Sequence, residues 1–540
     1  MRINNLLKSA LVALALALTA STAMAKPAKP GIRQYTQADG TSVSLRLVGD
    51  EFHSVYMSED NYPVVYDNGI FYFAQLSDDK DDITASKWRV ADMPDRTPDL
   101  TAWLSTQDLE SMTEVLSAKG ASTRQVGRRN ALGLFPGASF PVTGSPKVVV
   151  ILVQFSDESF YLDNPKDYFH RMLNQKGFSD YYGTGSALDF FTESSMGKFT
   201  PQFDVYGPVT LPNPMSYYGA ESGASSDVRP SQMVIDACRQ LDSEINYADY
   251  DDDNNGSVDN IYIFYAGKGQ ATYGGPETIW PHQGQVWTTL VLDGKRISRY
   301  ACSNEWEGTS PTTGHPDGPG TFCHEFCHVM GLPDLYATSY PTPAPFTPGE
   351  WSTMDIGPYN NYGFTPPTLS AFERYALGWL EPIELKANTN VKLEHILSSN
   401  SAYIIKTASQ NEFYLLENRQ EKGWDRYLPG HGMLVWHINY DASKWSANVV
   451  NNTASDQRVD IVEADNILTD GTRSGDSFPG AAGVTSSTDD TTPSMKTAGG
   501  SRLNLPITEI AESAPEGLIT FKVSGGAAPA TATVVKAATN

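Results

Sequence analysis

The chain has 540 residues, 40% of them hydrophobic and 19% charged, with a formal net charge of -24. That length exceeds what one hydrophobic core organises, so several domains are expected. The composition excludes a disordered chain, and the negative charge excludes a nucleic-acid backbone as partner.

Residues 1–25 combine a basic start (Arg2, Lys8), an apolar run from Ala10 to Ala20 and the small-residue stretch Ala23-Met24-Ala25. This pattern is that of a secretory signal peptide cut after Ala25, so the mature protein is expected outside the cell. No later apolar run reaches bilayer length, and no membrane span is expected. Residues 26–130 read as an N-terminal domain ending in a basic linker. Short apolar runs alternate with turns, and Asp67-Asn68-Gly69 between two aromatic-rich runs predicts a hairpin. A helical patch follows from about Asp99 to Lys119. The linker ASTRQVGRRN (121–130) exposes Arg124, Arg128 and Arg129 to nicking.

Residues 145–384 form the next predicted domain. KVVVILVQF (147–155) is a continuous apolar, β-branched run, the pattern of a strand buried on both faces. SALDFFTESS (186–195) and Pro230–Leu241 read as helices, the second with proline near its start. NIYIFYAG (260–267) reads as a second buried strand. From 385 to 525, strand-like runs separated by Gly, Asn, Asp and Pro predict a β-rich, sandwich-like domain. Residues 526–540 form a low-complexity tail. The fold class is α+β.

The most informative stretch is GTFCHEFCHVMGLPDLY (320–336). His324 and His328 stand four apart, so a helix projects both imidazoles from one face, where they can hold one Zn²⁺. Glu325 beside them is placed to take a proton from water at the metal and pass it to a leaving amine. Gly331 can end the helix in the left-handed conformation, and Pro333 prevents its resumption. Asp334 can then supply an oxygen ligand. Two nitrogens and one oxygen leave a coordination position open, which marks a catalytic rather than a structural zinc site.

HEFCHVMGLPD resembles the HExxHxxGxxD motif of the M6 peptidases, the immune-inhibitor-A-like secreted bacterial metalloproteases, which are related to the metzincins. WSTMDIG (351–357) is similar to the metzincin methionine turn, with Met354 beneath the metal. Most metzincins carry a third histidine where this chain has Asp334, a departure that fits the M6 pattern. The resemblance implies a metzincin-like zinc-peptidase catalytic domain acting on protein or peptide substrates. In some metzincins a tyrosine after the methionine steadies the oxyanion, and Tyr359 and Tyr362 are the candidates here. An open zinc site is dangerous to its producer. Residues 26–130 are therefore expected to act as a propeptide that leaves by cleavage in the basic linker; a permanent accessory domain is the competing reading. No cysteine precedes Cys238, so a cysteine latch from this region is excluded.

DYDDDNNGSVDN (249–260) fits the front half of a calcium loop: Asp251, Asp253, Asn255, Ser257 and Asp259 supply oxygens around the turn at Gly256. Position twelve is Tyr262 rather than glutamate, so the expectation is a structural Ca²⁺ site and not a complete EF-hand. M6 relatives are similar in binding calcium. Cys238, Cys302, Cys323 and Cys327 permit two disulfides. Cys323 and Cys327 suit a mutual bridge poorly on one helix, so each is expected to pair with a distant cysteine. His282 and His315 read as hydrogen-bonded loop residues, and His431 and His437 as packing in the β-rich domain. Two other functions compete with a peptidase. One is a calcium-stiffened secreted binding protein or adhesin, which the intact Glu325 argues against. The other is zinc hydrolysis of a non-peptide amide. The oligomeric state carries no signal in the sequence.

Overall fold

The computed structural model describes residues 26–50, 54–122, 140–221, 227–338 and 345–525. The expected signal peptide, the basic linker with Arg124, Arg128 and Arg129, and the tail all lie outside the described residues. Contacts divide the chain into two compact units. The first runs up to Trp379 and takes in Lys422–Tyr427 and Tyr440–Arg458; the second comprises Leu380–Glu421, Leu428–Asn439 and the residues from Val459 onward. Two pieces of the predicted β-rich stretch therefore belong with the first unit.

Among the described residues the first unit contains two sheets. Strands β1 to β6 (Arg33–Thr36, Ser42–Gly49, Ser54–Ser58, Pro63–Asp67, Ile70–Leu76, Ile83–Arg89) form an antiparallel sheet in sequence order. The predicted hairpin joins β4 to β5 through Asn68 (φ 46°) and Gly69 (φ 85°), both left-handed as that tight turn requires. Helices Pro98–Leu104 and Leu109–Ser122 follow. The core of this sheet, with Leu45, Phe71 and Phe73, also includes Trp280 and Ala271.

The second sheet is built from β7 (Lys147–Gln154), β8 (Gln202–Thr210), β9 (Ile261–Lys268), β10 (His282–Leu292) and β11 (Lys295–Glu307), in the spatial order β10-β11-β9-β7-β8. β7, β8, β9 and β11 run parallel, and β10 returns antiparallel to β11. Val148 to Val153 in β7 are all fully buried, as the unbroken apolar run requires. The helix Ala187–Ser194 starts at a capping box in which Ser186 and Asp189 satisfy each other's backbone N–H.

The second unit holds two further sheets. One has five strands, running from Ile383–Glu384 through Tyr403–Lys406, Glu412–Arg419 and Gly432–Asn439 to Val459–Ile461; the other has three, Thr389–Leu393, Ile519–Val523 and Ile507–Glu512. Both contribute to one apolar core, with Leu416 and Val435 from the first and Val391 and Phe521 from the second. The molecule is mixed α/β with several sheets.

One expectation is corrected. All four cysteines are buried, and none is joined in a disulfide. Cys323 and Cys327 sit inside the motif helix, Cys238 in the helix Pro230–Gln240 and Cys302 in β11, where its sulfur lies 3.7 Å from the Trp280 carbonyl oxygen. Each thiol fills the core as a small apolar group.

Candidate active site

The motif helix spans Pro319–Val329, with proline in its first turn. Phe322 and Phe326, one turn apart, form its sheet-facing side. Phe322 packs 4.4 Å from Tyr262 and 5.0 Å from Phe203 between ring centroids, and Phe326 packs 5.7 Å from Phe203. With that side committed to the sheet, His324 and His328 point the other way, and Glu325 lies on the flank between the two sides. The helix ends as its glycine predicts. Gly331 adopts φ 96°, and the Leu332 N–H reaches back to the Cys327 carbonyl at 3.0 Å. Pro333 then turns the chain, and Asp334 returns to the histidines.

His324 Nε2 and His328 Nε2 are 3.0 Å apart, and Asp334 Oδ1 lies 3.3 Å and 3.2 Å from them. His324 Nδ1 is 2.7 Å from the Thr353 carbonyl, and His328 Nδ1 is 2.8 Å from the Leu332 carbonyl. A carbonyl only accepts, so the ring protons sit on Nδ1 and both Nε2 atoms present lone pairs. Asp334 Oδ1 is buried with no hydrogen-bond partner among the described residues. Three lone-pair atoms this close repel one another unless a cation lies among them. Ligands about 2.0–2.1 Å from one tetrahedral ion stand roughly 3.3 Å apart, so the donor set and its spacing both fit zinc.

Further hydrogen bonds orient each of the three side chains. The Thr353 carbonyl that holds His324 belongs to the WSTMDIG turn, whose Met354 is fully buried and whose Met354 carbonyl accepts from Leu335 N at 2.8 Å. Asn448 grips Asp334 twice: its Nδ2 donates to Oδ2 at 2.6 Å, and its Oδ1 accepts from the Asp334 N–H at 2.8 Å.

Glu325 is fully buried, and its Oε1 accepts from the Lys26 backbone N–H at 2.9 Å. Burial pushes its carboxyl well above the ordinary range, and that N–H works against the rise. Residues 26–29 run beside the motif. Trp280 Nε1 donates to the Lys26 carbonyl at 3.0 Å, the Tyr359 hydroxyl to the Pro27 carbonyl at 2.7 Å, and the Lys29 N–H to the Ala271 carbonyl at 2.8 Å. Of the two candidate tyrosines, Tyr359 is thus engaged with this segment, whereas Tyr362 is 73% exposed.

Residues 142–380 match the family model for the immune inhibitor A peptidase M6 catalytic domain. This segment is similar to the peptidase M6 catalytic domains. Among curated relatives, pre-pro-metalloprotease PrtV of Vibrio cholerae serotype O1 (strain M66-2) is 28% identical over 242 residues, covering 40% of this chain and 26% of the relative. Immune inhibitor A of Bacillus thuringiensis subsp. alesti is 27% identical over 273 residues, covering 42% of this chain and 38% of the relative. The match therefore spans well under half the length of either relative. The matched segment holds every motif residue, but Asn448 lies outside it, 114 positions after Asp334. Nothing local marked Asn448, Trp280 or Lys26 as site residues.

In the calcium-loop stretch, the carboxylates of Asp251, Asp253 and Asp259 converge. Gly256 makes the sharp turn at φ 90°, and Asp259 Oδ1 lacks a hydrogen-bond partner among the described residues. Asn255 Oδ1 and the Ser257 N–H are bonded to each other at 2.9 Å, and Lys295 Nζ sits 2.6 Å from Asp251 Oδ2. His282 is a core residue, its two ring nitrogens each 2.7 Å from the Trp280 carbonyl and the Tyr300 hydroxyl. His315 packs against Phe364 and Tyr181. In the second unit, His431 pairs with Glu512 and His437 with Glu412, both at 2.9 Å. Among the described residues no helix is long and apolar enough to cross a membrane.

Proposed function

We propose that this protein is a secreted zinc endopeptidase with a metzincin-like catalytic domain, made as a zymogen. The convergence of His324 Nε2, His328 Nε2 and Asp334 Oδ1 as three lone-pair atoms beside a buried glutamate carries this reading. These three residues would hold Zn²⁺, which when bound supplies Lewis-acid polarisation of a carbonyl and lowers the pKa of water. Glu325 removes a proton from the attacking water and returns it to the leaving amine. Its raised proton affinity suits a group that must hold a proton between those two events. Thr353, Leu332 and Asn448 fix the directions of the three ligands before any substrate arrives.

The zymogen reading is supported by the Lys26 contact, which engages the proton-carrying oxygen of Glu325 and leaves it no access to water on that side. The name of the Vibrio relative, a pre-pro-metalloprotease, is in keeping with such a segment. Cleavage in the basic linker would free residues 26–122 from the rest. Asp251, Asp253 and Asp259 would hold a structural Ca²⁺ that stiffens the loop entering β9.

The test compares wild type with Glu325→Ala on casein after trypsin treatment, with bound zinc measured on both. Wild type should cleave, and the variant should lose at least about 10²-fold in rate while keeping its zinc. Zinc bound by both forms with no cleavage by either defeats the peptidase reading.

A further inference from the structure

Lys26 shows which side chain the cleft is built to hold, an argument that rests on the endopeptidase reading above. Its backbone nitrogen lies 2.9 Å from Glu325 Oε1, the oxygen assigned to deliver a proton to the leaving amine. A substrate's leaving nitrogen has to reach that same oxygen. Lys26 therefore stands in the register of the first residue after the scissile bond, with Pro27 to Lys29 continuing away from the cut. The main-chain bonds from Trp280 and Tyr359, and to Ala271, would hold any extended peptide equally well, because they recognise carbonyl and N–H groups only.

The side chain is held by different chemistry. Lys26 Nζ donates to Thr321 Oγ1 at 2.7 Å, lies 3.7 Å from Glu307 Oε1 and sits 4.3 Å from the centre of the Tyr359 ring. The Asp317 carboxyl is buried near enough to feel this ammonium charge, which works against the rise that burial imposes on it. Glu307 is 3% exposed, Asp317 2% and Lys26 1%. Glu307 Oε1 and Asp317 Oδ2 have no hydrogen-bond partner among the described residues. Lys29 Nζ adds a second cation, 3.4 Å from Glu307 Oε2, at the outer edge. Thr321 precedes Glu325 by one helical turn, so the floor of the pocket and the proton carrier share one face of one helix. Once residues 26–29 leave, two buried carboxylates lose their cation. An incoming lysine or arginine restores it, whereas an apolar side chain would bury those charges unpaired.

We propose that the pocket of Glu307, Asp317 and Thr321 makes this enzyme select substrates with lysine or arginine immediately after the scissile bond.

The full-length protein is activated with trypsin, which is then blocked with a covalent serine-protease inhibitor. It is assayed on paired peptides that differ only at that position, lysine against norleucine, which keeps the four-carbon stem and lacks the ammonium group. Cut sites in a whole-protein digest are mapped alongside. Trypsin cuts after basic residues, so residual activity is recognisable. We expect kcat/KM for lysine to exceed that for norleucine by about tenfold or more, the scale of one buried charged hydrogen bond. The ratio should fall towards one in Glu307→Gln/Asp317→Asn, and partway in Glu307→Gln alone should the double variant not fold. Affinity for the peptide Lys-Pro-Ala-Lys, measured by calorimetry on the activated Glu325→Ala protein, should drop in parallel when norleucine replaces the first lysine. Cleavage that ignores this position, or a preference that survives in both variants, overturns the proposal while leaving the peptidase reading intact. Absence of any cleavage by zinc-loaded wild type overturns both.

Discussion

Replacing Asn448 by alanine removes both hydrogen bonds that steer Asp334 towards the histidines. Asp334 is fully buried, so water does not take over the vacated positions freely. A hydrogen bond to a charged group contributes about 1.5–3 kcal/mol, and a buried N–H left alone costs about 1–3 kcal/mol more. Part of that loss appears as lower stability of the metal-free protein. Part appears at the metal, because an aspartate free to rotate must be ordered on binding. Loss of such an orienting partner typically weakens metal affinity 10–100-fold, or about 1.4–2.7 kcal/mol. Asn448→Asp is the sharper variant: it keeps the shape but sets a second carboxylate where the amide now donates at 2.6 Å. Zinc affinity measured by competition with a chromophoric chelator should fall at least tenfold in Asn448→Ala and further in Asn448→Asp. Affinities within threefold of wild type for both variants would refute the claim that Asn448 orients the ligand.

The motif helix also depends on close backbone approach. A Cβ at Gly320 would lie 2.3 Å from the Pro358 carbonyl oxygen and 2.9 Å from that of Gly363, so Gly320→Ala should destabilise by about 1–3 kcal/mol in denaturant unfolding. Calcium should raise the melting temperature of wild type but not of Asp253→Asn, and Lys295→Met should tighten calcium binding by removing the cation beside Asp251. Burial raises the Glu305 carboxyl from 4.5 to about 7, against the backbone N–H groups of Gly267, Leu162 and Tyr161. The native state therefore keeps a proton that the unfolded chain releases. Stability from this group is full below about pH 4.5 and is lost as pH rises towards 7, by about 2–3 kcal/mol. The stability gap between wild type and Glu305→Gln should shift against wild type by roughly that amount across the interval; a pH-independent gap defeats the assignment.

What could be read in advance follows from how local each signal is. The spacing of His324, Glu325 and His328, the turn at Gly331 and the return to Asp334 lie within eleven residues, where helix geometry alone decides who faces whom. The unbroken apolar run of β7 and the Asn68-Gly69 hairpin are equally local, and the structure has both. The cysteines illustrate the opposite case. An even count in a chain expected to be exported argued for bridges, but four small apolar side chains spread over one helix, one strand and the motif helix fill the core without one. Support for the ligands is non-local as well: Thr353, Leu332 and Asn448 act through carbonyl or amide groups that any sequence offers by the dozen, and only the fold selects them. Lys26 combines the two cases. Its identity was visible beside the expected cleavage point after Ala25, but its meaning depends on Glu325, 299 residues away. A contact that distant is costly in chain entropy unless the intervening domain folds first. The six-stranded sheet between them supplies that folding and shares its core with Trp280, whose indole N–H also holds the Lys26 carbonyl. A segment held this way would be released by freeing the sheet that carries it, which is what cleavage at the basic linker would accomplish.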